Sequence, residues 1–314
     1  MKIGIIGTGR IAKRFIPEAL CVEGAELSAV YNPHEGSAER FVKETGATLA
    51  VAKELPKLFD LSDGVYIASP HDSHYEYIMA VLKAGKHVLC EKPMVLSGAQ
   101  AQECFSLAEK QGLVLMEGIK TAYCPGYQKV LELAAAGVIG EIRYIDSCFT
   151  KLEKPERREL TDRSYGGSFT ELGSYVLLPV LDLLGSGYQS LRFSCIDNAL
   201  GIDIFTKLEP DYQGRMATAV CGLGVKAEGR LLISGTKGFI RVEAPWWKTS
   251  HISVHFEDPS ATQQYETAFE GDGLQYEIAE FLRQIRERRE NNAKYRSICM
   301  ADLMERFLLY RKKA

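Results

Sequence analysis

Residues 2–12 constrain this chain more than any other stretch. An apolar run, Ile3-Gly4-Ile5-Ile6, enters Gly7-Thr8-Gly9-Arg10-Ile11-Ala12, and an amphipathic segment follows to Leu20. A short apolar run, a glycine turn and a helical period read as strand, loop and helix. The spacing is G-x-G-x-x-A. Gly7 permits the tight turn, Gly9 lets the backbone approach a pyrophosphate, and Ala12 keeps helix and strand close. The helix start then offers N–H groups and a positive dipole end to phosphate oxygens. A glycine pattern alone is weak evidence, and an ordinary glycine turn is the alternative. Here the pattern sits where the mechanism requires it.

The same alternation continues. Residues 2–7, 27–32, 64–68, 87–90 and 113–117 read as strands, with helical patterns at 11–20, 37–45, 73–84 and 98–111. Such βαβ alternation predicts a parallel sheet covered by helices on both faces. Gly85 is placed as a helix C′ residue, Asp72 or Ser73 as the cap after Pro70, and Ser97 as the next N-cap. After Thr121 the character changes. A helix at 126–136 leads into strands at 141–151, 190–195, 202–208, 215–222, 227–234 and 239–243. Ser234-Gly235-Thr236-Lys237-Gly238 forms a hairpin turn. A helix at 170–184 interrupts the series and two more close the chain, near 274–288 and 298–311. Residues 286–292 read as a solvated helix end. The fold class expected is α/β: an N-terminal Rossmann domain, a parallel doubly wound sheet, over 1–120. A C-terminal α/β domain with a large open, mostly antiparallel sheet follows over 121–314. The last helix is a candidate to pack back on the first domain.

Composition excludes several partners. The net charge of -3 gives no footprint for nucleic acid. No apolar run approaches the roughly 20 residues that cross a bilayer. Met1-Lys2 leads straight into the first strand with no signal-peptide pattern, so a cytoplasmic protein is expected. The 8 cysteines stand singly, without C-x-x-C pairs, and read as small apolar side chains. No His, Cys or carboxylate cluster has metal-ligand spacing.

Two strand ends carry candidate chemistry. The second ends Val30-Tyr31-Asn32-Pro33-His34. An acidic residue there would read a ribose 2′-hydroxyl and favour NAD. Asn32 is neutral and tolerates a 2′-phosphate, which Arg10, His34 or Arg40 could meet. NADP is therefore favoured over NAD by a small margin. Asn32 equally reads as a turn initiator before Pro33. The fourth strand runs into Glu91-Lys92-Pro93, which places Lys92 at the carboxyl end of a parallel strand, where ligands bind. An exposed lysine there also reads as a surface charge.

These segments occur in order: the glycine loop, Ser69-Pro70 with His74, and Ala84-Gly85-Lys86-His87-Val88-Leu89-Cys90-Glu91-Lys92-Pro93. Gly166-Gly167-Ser168-Phe169-Thr170-Glu171-Leu172-Gly173-Ser174-Tyr175 follows later. Together they resemble the Gfo/Idh/MocA oxidoreductase family over nearly the whole chain. Gly235-Thr236-Lys237-Gly238 and Trp246-Trp247 resemble its dihydrodiol dehydrogenase-like branch.

The resemblance implies hydride transfer between nicotinamide and a carbinol or carbonyl carbon of a sugar, polyol or diol. It implies homodimers, or dimers of dimers, built through the C-terminal sheet. The cofactor residues implied are Gly7, Thr8, Gly9, Arg10, Ile11, Ala12, Asn32, Ser69, Pro70, His74, Glu91 and Lys92. The proton-transfer role falls on Tyr175, with Lys92 beside it and Glu171 one helical turn earlier. A cationic lysine near a tyrosine favours the phenolate, which is otherwise formed only near about pH 10. The nearby Gly173 leaves room for a close approach.

The chain departs from the family at three points. Glu171 stands for the usual Asp, Tyr175 stands where many sugar enzymes carry His, and Ala122 stands where Arg is common. Lys120 and Arg163 are candidate substrate contacts, with Arg157 and Arg158 reading more as surface charge. His74 reads as a packing or capping residue more than a catalyst. Two alternatives stay open: an NAD-dependent glycosidase of the same fold, and a non-catalytic cofactor-binding regulator.

Overall fold

A computed structural model describes residues 1–288 and 293–313. The expected helix end at 286–292 thus falls partly outside the described residues. The chain forms two compact units. The first is Met1–Lys120 with Glu270–Asp302, and the second is Thr121–Phe269 with Leu303–Ala314.

The first unit runs β1 Lys2–Ile6, α1 Arg10–Leu20, β2 Glu26–Tyr31, α2 Ser37–Thr45, β3 Ala50–Ala52, α3 Leu55–Asp60, β4 Gly64–Ile67, α4 His74–Lys83, β5 His87–Glu91, α5 Gly98–Lys110 and β6 Leu115–Gly118. Its sheet has six strands in the order β3-β2-β1-β4-β5-β6. All pairs are parallel. Strand order reverses between β1 and β4, the point at which such sheets bind ligands. The central strands are buried on both faces, as a helix-covered parallel sheet requires. Ile5, Ile6, Val65 and Ile67 are fully buried, each contributing about 1.5–3 kcal/mol.

The second unit runs α6 Pro125–Ala135, β7 Ile142–Thr150, α7 Arg158–Thr161, α8 Ser168–Leu184, β8 Ser190–Asp197, β9 Asp203–Tyr212, β10 Arg215–Gly222, β11 Leu231–Gly235, β12 Phe239–Val242, β13 His251–His255 and β14 Gln263–Glu266. Its eight strands are ordered β14-β13-β12-β11-β7-β10-β9-β8. The sheet is antiparallel except where β7 meets β10. Helix α9, Leu274–Glu287, belongs to the first unit. Helix α10, Lys294–Lys313, is divided between the units at Asp302 and Leu303.

Several differences from the sequence reading are local. Strands β3, β13 and β14 and helix α3 are short and were not anticipated. Ser73 occupies the N-cap of α4, yet its side chain does not cap the helix. Its hydroxyl donates to the Pro70 carbonyl at 2.7 Å and lies 2.7 Å from Ser69 Oγ, closing a short turn before the helix. Ser97 is the N-cap of α5, again without a side-chain cap bond. Gly85 follows α4 with φ +74° and its N–H on the Leu82 carbonyl, as expected of a C′ glycine. Among the described residues, no helix is long and apolar enough to cross a membrane.

Candidate functional site

The glycine loop leaves β1 at the strand-order reversal. Gly7 has φ +103°, and its N–H donates to the Tyr31 carbonyl at 2.9 Å. A Cβ at Gly7 would lie 2.5 Å from the Ala68 carbonyl oxygen. Both the backbone angle and the close approach therefore demand glycine. Gly9 is the N-cap of α1, and a Cβ there would have no atom within 4 Å. The space over Gly9 is open, as a pyrophosphate requires. No side chain caps the first turn of α1, and no acidic residue stands in it. Its positive end is thus suited to phosphate. Ala12 is fully buried, while Arg10 is exposed at the mouth of the loop. These features fit a dinucleotide.

Asn32 makes the turn that its sequence position suggests and also braces the glycine loop. Its Nδ2 donates to Thr8 Oγ1 at 2.8 Å, bracing the glycine loop. Its Oδ1 accepts the His34 N–H at 2.9 Å, forming the turn around Pro33. No carboxylate stands at this strand end.

The ends of β4 and β5 meet in a dense polar network. The His74 ring is fully buried, with Nδ1 3.0 Å from the Pro93 carbonyl and Nε2 2.9 Å from the Ser69 carbonyl. It braces the Ser69-Pro70 loop against the turn carrying Lys92. Burial pushes its pKa down, against the pull of the two carbonyls. The Lys92-Pro93 peptide is cis. The Glu91 carboxylate accepts the Tyr66 hydroxyl at 2.6 Å and the Lys92 N–H at 3.3 Å. Glu117 accepts the Met94 N–H at 3.0 Å. Three side chains, from three elements, thus fix the backbone on either side of Lys92. Burial raises the Glu91 carboxyl, while the Lys92 and Lys120 cations and the Tyr66 bond oppose that rise.

Sequence reasoning missed the partners beneath this turn: Tyr66, Glu117 and Glu277. Tyr66 stacks on Phe15 with ring centroids 3.7 Å apart. Glu277 lies on the buried face of α9 with Leu274, Ile278 and Phe281. The signal available was a carboxylate at apolar helical spacing. The Lys120 ammonium donates to the Asp272 carbonyl, in the loop before α9.

The second unit holds the other candidates. Glu171 and Tyr175 both lie on α8, at i and i+4, and stay partly exposed while the residues between them are buried. Arg158 reaches to 3.8 Å from Glu171. Arg157 lies 4.0 Å from Glu153, and Arg163 is exposed. The Tyr175 ring meets Phe149 edge-on at 5.2 Å, and Phe149 stacks on Trp247 at 3.5 Å. Gly173 admits a neighbour, since a Cβ there would lie 2.9 Å from the Met304 methyl.

Asp203, from β9, organises the start of α8. Its Oδ2 accepts the Phe169 N–H at 2.9 Å and the Thr206 hydroxyl at 2.7 Å. Burial pushes its carboxyl up to about 6. Among the described residues, no group of three or more His, Cys, Asp or Glu could hold a metal ion.

Comparison with known proteins agrees with the fold. Residues 1–119 match the family described as an oxidoreductase family with an NAD-binding Rossmann fold. The chain is 27% identical over 298 residues to trans-1,2-dihydrobenzene-1,2-diol dehydrogenase of Xenopus tropicalis, covering 90% of this chain and 88% of that protein. It is 26% identical over 318 residues to the scyllo-inositol 2-dehydrogenase (NADP(+)) IolU of Bacillus subtilis (strain 168), covering 97% and 95%. A 3-ketoreductase from Actinomadura kijaniata, solved in complex with NADP and TDP-benzene, superposes with a TM-score of 0.80 at 25% identity. That match covers 97% of this chain and 96% of the other.

Proposed function

We propose that this chain, which belongs to the Gfo/Idh/MocA oxidoreductase family, is an NAD(P)-dependent dehydrogenase or reductase. It moves a hydride between nicotinamide and a carbinol or carbonyl carbon of a sugar, polyol or diol. One observation carries the reading: Lys92 is locked at the end of β5, in the same sheet whose β1 end carries the open Gly7–Gly9 loop. A bound nicotinamide would supply the hydride, and the protein would supply position and charge.

Gly7, Thr8, Gly9, Arg10, Ile11 and Ala12 hold the pyrophosphate, with Asn32 bracing Thr8. Ser69, Pro70, His74, Glu91 and Lys92 shape the nicotinamide end. Lys92 donates to the substrate oxygen and stabilises its developing negative charge. Tyr175 moves the hydroxyl proton, and Glu171, Lys120 and Arg163 contact substrate hydroxyls. The relatives named for a dihydrobenzene diol and an inositol, and the structural neighbour named a 3-ketoreductase, support a hydroxylated or keto substrate. Two copies pair through the open face of the eight-stranded sheet, where Met216 is exposed on the side of β10 opposite the buried Ala217, Ala219 and Cys221.

Two results are expected. Tyr175→Phe keeps the ring against Phe149 and removes only the phenol. Its kcat should fall by about 10²–10⁴-fold, the usual worth of a positioned acid or base. A kcat left intact, whatever happens to KM, would reassign Tyr175 to packing. For the cofactor, separate fluorescence titrations of NADPH and NADH should give the lower Kd for NADPH, since Asn32 presents no charge to a 2′-phosphate. Tighter NADH binding would overturn that preference.

A further inference from the structure

The polar network below Lys92 contains more acid than it needs for bracing. Glu277 is completely buried, and neither carboxyl oxygen has a hydrogen-bond partner among the described residues. Its position is defined by a glycine. A Cβ on Gly118 would lie 3.4 and 3.5 Å from the two Glu277 oxygens and 3.3 Å from the Cys90 carbonyl. Gly118 pairs with Glu91 across β5 and β6. The Glu277 carboxyl therefore sits over the strand end that carries Glu91 and Lys92.

Several packed elements face this carboxyl with a titratable group. These are Tyr66 from β4, Glu91 and Lys92 from the end of β5, Lys120 after β6, and Glu18 from α1. Glu18 is itself engaged, accepting the Asp272 and Gln275 N–H groups at 2.9 and 3.2 Å at the start of α9. Glu91 holds two donors, while Glu277 holds none. A carboxylate without donors in a dry site carries its full desolvation cost. Of the two neighbouring acids, Glu91 is therefore the one whose ionised form is better held, and Glu277 the one better held neutral. Burial first, and Glu91 second, raise the Glu277 carboxyl well above the usual range.

We propose that Glu277 is a positioning residue for Lys92: held uncharged, its carboxyl spares the Lys92 ammonium a further opposing acid beside Glu91. The Lys92 ammonium then meets a substrate oxygen gaining negative charge with one fewer acid opposing it. Ionisation of Glu277 would add an opposing charge in a low-dielectric site, where a unit charge acts strongly. The inference rests on the dehydrogenase reading above.

The test is the pH dependence of kcat/KM for the whole protein and for Glu277→Gln and Glu277→Leu, neither of which can ionise. The leucine variant also removes the buried polar atoms, so it is the safer variant for folding. In the wild type, activity should fall on the alkaline side. In both variants that limb should disappear or move up by about one pH unit or more. A limb that stays in place or moves down in either folded variant, or no limb in the wild type, overturns the proposal. Infrared difference spectra of the wild type provide a readout without turnover. A protonated-carboxyl band at neutral pH should fade across the alkaline range and be missing from the variants. Its absence from the wild type also overturns the proposal. Should no substrate be turned over, the dehydrogenase reading fails while the infrared result still decides the state of Glu277.

Discussion

Lys92→Met should lose turnover, by at least about 10²–10³-fold, the cost of removing one donor aimed at a developing oxyanion. Methionine keeps an unbranched apolar stem, so the change deletes the ammonium with little change of volume. The backbone around it should hold, because Glu91, His74 and Glu117 grip main-chain atoms of Lys92, Pro93 and Met94. The Gly7–Gly9 loop, which holds the pyrophosphate, is untouched, so NADPH should still bind. One side effect is expected. Lys92 opposes the burial-driven rise of the Glu91 carboxyl, so its removal should raise that carboxyl further. A variant that turned over near the wild-type rate would show that Lys92 is only a surface charge at a strand end.

Gly167→Ala should be the most damaging small substitution in the second unit. Gly167 has φ +111°, a conformation that costs an alanine about 1–3 kcal/mol. The added Cβ would also lie 2.0 Å from Asp203 Oδ1. Asp203 cannot swing away cheaply, because its other oxygen holds the Phe169 N–H and the Thr206 hydroxyl. Losing that cap adds about 0.5–2 kcal/mol. Together these imply a loss of about 1.5–5 kcal/mol. Calorimetry should show the melting temperature falling by several degrees, at about 2–4 °C per kcal/mol. Activity should fall as well, since Glu171 and Tyr175 ride on the first two turns of α8. A melting temperature unchanged from wild type would remove Asp203 as the organiser of that helix.

The first βα unit was legible because each of its signals is local. The apolar run, the glycine spacing and the helical period lie within Lys2–Ile6 and Arg10–Leu20. Helix α2, Ser37–Thr45, was readable for the same reason, being bounded by Gly36 and Gly46, both in left-handed backbone. The start of α8 was less legible. The sequence suggested 170, whereas the helix begins at Ser168. Its capping carboxylate comes from Asp203, far along the chain, and no local pattern announces it. The parallel pairing of β7 with β10 is non-local in the same way. Strand β3 has three residues, Ala50–Ala52, and two are alanines with little strand preference. Glu277 and Glu117 read as ordinary polar positions. Only the packing of α9 and the end of β6 makes them buried acids beside Lys92.

The account is tested most directly by following the nicotinamide absorbance band with a panel of diols, inositols and keto sugars, in both directions. Product should be quantified beside the cofactor. For at least one substrate pair, the carbonyl form should oxidise NADPH and the hydroxyl form should reduce NADP, one cofactor per product. Both reactions should be lost in Lys92→Met. Product release from a glycoside with no net change in the cofactor, or turnover that survives in Lys92→Met, would contradict it.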